Sequence, residues 1–183
     1  RESHRVLDLA TGTGDLAFAA GRQAAHVIGL DVTPRMIELA ARKPAPGHRP
    51  GFLVGDMCAL PFPAASFDVV TTGYGLRNVP DLELAVDEIV RVLRPGGVAL
   101  SLDFNRPANP IVRAAYLAYL HVVGGTIGWV LHGDPDTYRY IPASISRYPG
   151  AAAVADLMRA RGFRDVRHYR VLGGLMAIHR AEK

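Results

Sequence analysis

Residues 6–17 read VLDLATGTGDLA: an apolar run, a turn carrying Gly12 and Gly14, and a carboxylate on each side, Asp8 and Asp15. GTGDLA fits the dinucleotide fingerprint G-x-G-x-x-A, and Asp31 follows at about the distance of a ribose ligand. A nicotinamide dinucleotide is therefore one reading. The two acids argue against it, because a diphosphate wants a helix N-terminus free of competing negative charge. They suit a ligand with cationic groups, such as S-adenosylmethionine, which carries an ammonium and a sulfonium. Taken alone, Asp15 is equally well a first-turn acid of the following helix.

Two further stretches carry chemistry. In GDMCALPFP, Asp56 should end a strand at the carboxyl edge of a sheet. A carboxylate there can accept from an adenine amine while the Met57 N–H donates to a ring nitrogen. A turn-forming Asp is the plainer explanation. In GYGLRN, Arg77 cannot act as a base at neutral pH, but its fixed charge can stabilise a phenolate. Asn78 can orient a water beside it, and Tyr74 is placed to line the donor cleft. Tyr138 and Tyr140 share a side if that segment is extended, with Ser144 within reach if a helix starts nearby. These could grip substrate oxygens or be ordinary core aromatics. Cys58 reads as a small apolar residue. His121, His132 and His179 lack metal-triad spacing and no metal is expected; His179, on the last strand, is a remote candidate base.

The elements that must position these residues follow from periodicity. RVLDLA, HVIGLD, PGFLVG, FDVVTT and GVALSLD read as buried strands. Helical spacing runs through GDLAFAAGRQ, TPRMIELAARK and DLELAVDEIVRVLR, with Gly96-Gly97 stopping the last. This alternation predicts a parallel sheet with helices on both faces. Two closing strands, RDVRHYRVL and GLMAIHRAE, should pair antiparallel. Between them and the first half lies an insertion, residues 105–148. Its apolar run 111–131 is long enough to span a membrane, yet Arg113, His121 and Gly124-Gly125 interrupt it. Two helices joined at the glycines are expected instead.

The chain has 183 residues, 49% of them hydrophobic and 21% charged, which predicts a single domain over residues 1–183 with a proper core. Its net charge of +4 is scattered rather than clustered, so a nucleic-acid surface is not expected. The single cysteine excludes a disulfide framework and is compatible with a reducing cytoplasm. No charged region precedes an apolar core at the start, so no signal peptide is expected.

Together DLATGTGD, GLDVT, GDMCALPFP, FDVVTTGYGLRNVPD, RVLRPGG, DTYRYIPASI and AIHR resemble the UbiE/Coq5 (MenG) family. These are class I S-adenosylmethionine-dependent C-methyltransferases of ubiquinone and menaquinone biosynthesis. The resemblance covers about residues 5–180; GLRN and YRYIPASI are its most particular motifs. It implies a Rossmann-like, seven-stranded, mostly parallel sheet with an antiparallel last strand and a helical insertion before the final helix. It implies S-adenosyl-L-methionine as cofactor, with Asp8, Gly12, Thr13, Gly14, Asp31, Asp56, Met57 and Gly73 around it. Some members carry Ser where this chain has Gly73. Arg77 and Asn78 would polarise a water that takes the phenolic proton, with Tyr140 assisting, and Tyr138, Tyr140 and Ser144 would bind substrate. The expected partner is a prenylated quinol such as demethylmenaquinol, with the apolar insertion as its channel. A cytoplasmic enzyme making peripheral membrane contact, and a homodimer, are compatible with that role. A methyltransferase of secondary metabolism acting on a phenol or polyketide, or a non-catalytic cofactor-binding relative, remain alternatives.

Overall fold

A computed structural model describes residues 3–45, 47–133 and 138–183. The apolar runs become strands β1 Arg5–Leu9, β2 His26–Asp31, β3 Gly51–Val54, β4 Phe67–Gly73, β5 Leu93–Phe104, β6 Asp165–Val171 and β7 Met176–Glu182. They form one seven-stranded sheet in the order β3-β2-β1-β4-β5-β7-β6. β1 to β5 pair parallel, and β7 is antiparallel to both β5 and β6. The strand order reverses between β1 and β4, and at such a switch point an open α/β sheet leaves a crevice beyond its carboxyl edge.

Helices α1 Asp15–Ala20, α2 Pro34–Arg42, α3 Leu82–Val92, α4 Pro110–His132, α5 Tyr140–Arg147 and α6 Ala151–Ala160 surround the sheet. Side chains along β1 alternate between its two faces. Leu7 and Leu9 join the larger core with Val70, Ile89, Val154 and Met158. Val6 joins the smaller one with Ala17, Ala24 and Val27. Asp8 shares the face of Val6, which takes its carboxylate into the protein rather than towards solvent.

Three sequence expectations are corrected. Helix α3 ends at Val92, not at Gly96-Gly97: Pro95 forces Arg94 out of helical geometry, and RPGG enters β5 as a bulge. The register passes from Phe67↔Leu93 to Val69↔Val98, with Gly96 at φ 76°. The run 111–131 is one helix, not two. A Cβ on Gly124 would lie 3.3 Å from the Tyr138 Cβ, so the glycine permits a close crossing instead of breaking the helix. Tyr138 and Tyr140 are not in an extended segment; Tyr140 begins α5. Among the described residues no helix is long and apolar enough to cross a membrane.

Candidate functional site

The loops leaving β1, β2, β3 and β4 enclose a cleft of about 570 Å³ at the switch point. Just past β1, Ala10 turns the chain at a φ of 50°, and Gly12 follows at φ 55°. The Gly12 N–H donates to Asp31 Oδ2 (2.8 Å) and the Thr33 N–H to Asp31 Oδ1 (2.9 Å). Asp31 therefore ties the glycine turn to the start of α2, and each oxygen keeps a lone pair for a further donor. Gly14 is obligatory for another reason: at φ 85°, a Cβ would stand 2.9 Å from the Phe52 ring.

At the far wall, Asp56 Oδ1 accepts from the Cys58 N–H (2.8 Å), leaving Oδ2 open. Met57 is buried, and its backbone N–H finds no acceptor among the described residues. The PFP loop behind them is anchored by Glu88, whose Oε2 accepts from the Leu60 N–H (2.7 Å). Hydrogen bonding from Arg91 lowers the Glu88 carboxyl from its ordinary value.

The GYGLRN segment leaves β4 through Tyr74, which is left-handed at φ 59° although it is not glycine. Strain of that kind costs about 1–3 kcal/mol and persists only where its surroundings impose it. Here it turns the Tyr74 carbonyl to accept from Arg77 Nη1 (3.2 Å) and Asn78 Nδ2 (3.0 Å). The Arg77 guanidinium lies over the Phe104 ring (5.1 Å) and near that of Tyr74 (5.9 Å). Asp103 at the end of β5 faces Arg77 Nε at 3.3 Å and accepts from its backbone N–H at 3.1 Å. Tyr148 is buried beside this pair with its hydroxyl unpartnered, and burial drives that phenol far above its usual range.

A second cleft of about 410 Å³ adjoins the first. Both are lined by Arg77, Asn78, Val79, Pro80 and Tyr140; Ser144 and Tyr148 line only the second. The Arg-Asn pair thus stands at the junction of two chambers.

Of the expected site residues, Gly12, Asp31, Asp56, Met57, Gly73, Arg77, Asn78 and Tyr140 meet at the first cleft, with Tyr74 beside them. Asp8 lies below its floor, accepting from Thr11 (2.5 Å) and Thr71 (2.7 Å), and burial pushes its carboxyl up to about 6. Thr13 faces outward and accepts from Lys43 Nζ (2.8 Å). Asp15, 85% exposed, pairs with the same lysine, so it does not crowd a ligand as its sequence position suggested. Tyr138 packs on α4 away from the cleft lining. The Ser144 hydroxyl donates back to the Ile141 carbonyl (2.9 Å). His179 is buried between β5 and α6, remote from both clefts, while His121 is exposed on α4. The His132 side chain lies outside the described residues. Sequence reasoning missed Asp103, Phe104 and Tyr148; the one available signal was Asp103 at a strand's carboxyl end, as for Asp31.

The sequence pattern of the ubiE/COQ5 methyltransferase family matches residues 1–183. A demethylmenaquinone methyltransferase of Thermus thermophilus is 42% identical over 178 residues, covering 96% of this chain and 80% of that protein. A ubiquinone/menaquinone biosynthesis C-methyltransferase UbiE of Dinoroseobacter shibae is 40% identical, covering 98% of this chain and 74% of its own length. Among solved structures, a SAM-dependent methyltransferase of Thermotoga maritima superposes with a TM-score of 0.72 at 20% identity, covering 99% of this chain and 83% of that one. One from Mesorhizobium loti gives 0.70 at 19% identity, covering 99% and 91%. These two establish likeness of fold.

Proposed function

The chain belongs to the UbiE/COQ5 methyltransferase family, and from that premise we propose how its two chambers divide the work of methylating a quinol ring carbon. It is an S-adenosylmethionine-dependent C-methyltransferase, and its named relatives act in menaquinone and ubiquinone biosynthesis. S-adenosylmethionine, when bound, supplies an electrophilic methyl group on a sulfonium.

The first cleft suits that donor. The unpartnered Met57 N–H and the open Asp56 oxygen offer one donor and one acceptor at one end, matching an adenine edge. Asp31 offers two lone pairs for ribose hydroxyls, and Gly12 and Gly73 keep the approach clear. Asp8, Thr13 and Gly14 act one layer out, by shaping the turn that presents these groups. The second cleft, between the GLRN turn and α5, suits the quinol ring, with Tyr140 at the entrance and Ser144 in the wall. α4 and α5, in the insertion of residues 105–148, act as the substrate cap, with the apolar surface of α4 along the path of a prenyl tail.

The observation that carries this reading is the position of Arg77 and Asn78 on both linings. A ring carbon becomes a good nucleophile once its neighbouring phenol, with a pKa of about 10, loses a proton. Arg77 is held by Asp103, Tyr74 and two aromatic rings, so its charge is fixed where a phenolate would form. A fixed charge in a poorly solvated site stabilises such an anion without reorganisation. Asn78 spends its Nδ2 on the Tyr74 carbonyl, which leaves Oδ1 to accept from a water. That water relays the phenolic proton to bulk solvent while Arg77 balances the phenolate; the two chambers would hold ring and donor end to end as one complex.

Titration calorimetry with S-adenosylhomocysteine, followed by methyl transfer to demethylmenaquinol, tests the reading. Micromolar binding, weakened at least tenfold in Asp31→Ala, together with turnover lost in Arg77→Gln at unchanged S-adenosylhomocysteine affinity, is the expected result. Turnover on simple phenols but not on quinols would move the substrate to secondary metabolism.

A further inference from the structure

Beyond β5, on the half of the sheet away from the donor cleft, lies a cleft of about 620 Å³. The first turns of α4 and α6 and the turn between β6 and β7 form its walls. Asn105 fixes them together: its Nδ2 donates to the Gly174 carbonyl (2.8 Å) and its Oδ1 accepts from the Ala151 N–H (2.9 Å). The lining includes Arg106, Arg113, His168 and Arg170, and no Asp or Glu.

These three arginines differ from eight others among the described residues that are ion-paired. Arg35, Arg77, Arg91, Arg94, Arg159, Arg161, Arg167 and Arg180 each face a carboxylate. Arg106, Arg113 and Arg170 have no ion pair among the described residues. Arg106 Nε is in addition buried without an acceptor. The first turn of α6 adds to the same polarity: Ala152 and Ala153, on the lining, have N–H groups with no acceptor within the helix. Three uncompensated guanidiniums, a buried free donor and a helix start make a receptor for a group with several negative oxygens.

The surface next to it says what carries those oxygens. Val112 and Arg113, from the first turns of α4, are part of the lining. From there the outer face of α4 presents Ile111, Tyr119, Val122, Trp129 and Val130, each at least 61% exposed. Their spacing places them along one side of the helix. An apolar stripe with interfacial aromatics, beginning at a basic cleft, is complementary to a bilayer with anionic headgroups. A free phosphate compound would need the cleft but not the stripe.

We propose that the Arg106–Arg113–Arg170 cleft takes the phosphate headgroup of an anionic phospholipid while the outer face of α4 lies in the acyl boundary. The site docks the enzyme on a membrane, whichever ring the catalytic cleft methylates.

Co-sedimentation with vesicles tests this without substrate. Vesicles of phosphatidylglycerol mixed with phosphatidylcholine should bind the protein, and phosphatidylcholine alone should not. Each Arg→Gln change in the cleft should weaken partitioning about fivefold, the equivalent of about 1 kcal/mol per charge near an anionic surface. S-adenosylhomocysteine affinity should stay unchanged in all three variants, which separates this result from any failure of the methyltransfer reading. Ile111→Ser with Trp129→Ser should weaken binding with the cleft intact. Should a cleft variant unfold, the unaltered protein still reads the charge dependence: about 1 M NaCl, where charges are screened beyond about 3 Å, should release it from the vesicles. Equal binding to neutral vesicles overturns the proposal. So does displacement by millimolar inorganic phosphate with no vesicle binding, or a dimer that buries α4 and binds no vesicles.

Discussion

Arg77 and Asp103 form a nearly dry ion pair at the end of β5, with Nε 3.3 Å from Oδ1 and side chains only 3% and 2% exposed. A pair this buried does not favour folding over a well-packed apolar pair of similar size, but breaking it strands a charge. Its value here is positional, since it fixes a cation at the junction of the two chambers. Asp103→Ala, which leaves both the buried guanidinium and the Arg77 N–H without their acceptor, should therefore destabilise the fold by about 3–5 kcal/mol. The double variant Arg77→Met/Asp103→Leu should recover most of that loss while turnover stays absent. Chemical denaturation of both variants beside a methyl-transfer assay separates the two effects. Recovery of activity with stability would refute a positional role.

The same pair makes the reaction sensitive to pH. Burial pushes the Asp103 carboxyl from its ordinary 3.8 up to about 6, opposed by the Arg77 charge and by backbone N–H donors from Arg77 and Phe104. A carboxyl raised on folding adds stability that is complete below about 3.8 and is lost as the pH rises through about 6. The rate should run the other way, because only the carboxylate holds Arg77 by its charge. kcat/KM is expected to fall as the pH drops through about 6. Over the same interval the Tm of the native chain should rise relative to Asp103→Asn. A pH–rate profile with no inflection near that value would remove Asp103 from the mechanism.

Gly73 offers a gain rather than a loss. A Cβ there would stand 3.0 Å from Leu16 Cδ1, and Leu16 is 41% exposed and free to turn outward. Gly73→Ser then places a hydroxyl on the lining of the donor cleft. One added hydrogen bond of about 1 kcal/mol corresponds to roughly fivefold tighter S-adenosylhomocysteine binding, read by calorimetry. Weaker binding would mean that Leu16 cannot move.

How far the sequence led depends on how local each feature is. Asp31 and Asp56 were legible because a strand's period and its following turn are written in neighbouring residues. Asp15 was misread because its partner, Lys43, lies 28 residues away and arrives only through the fold. Asp103 and Tyr148 were not visible beside the clefts, since they come near Arg77 only through the fold. The glycines of α4 look like a break in one dimension; in three, Gly124 lets Tyr138 cross close by.

His179 supplies the last prediction, because burial in a strand distinguishes a structural histidine from a base. Its Nε2 lies 2.9 Å from the Ala151 carbonyl, which can only accept, so the proton sits on Nε2. Nδ1 then accepts from the Ser101 hydroxyl at 3.2 Å. Burial, helped by His168, lowers this imidazole below its ordinary 6.5. A histidine depressed on folding contributes stability that is present above 6.5 and is lost as the pH falls through the lower folded value. The native Tm should therefore drop more steeply than that of His179→Gln as the pH is taken below 6.5. At neutral pH the variant should lose about 1–3 kcal/mol of stability, from the buried partners it leaves unsatisfied. Its kcat should stay near the native value, because His179 binds α6 to the sheet and touches neither cleft. A hundredfold fall in kcat with the fold intact would instead make His179 the base and overturn the role proposed for a water beside Asn78.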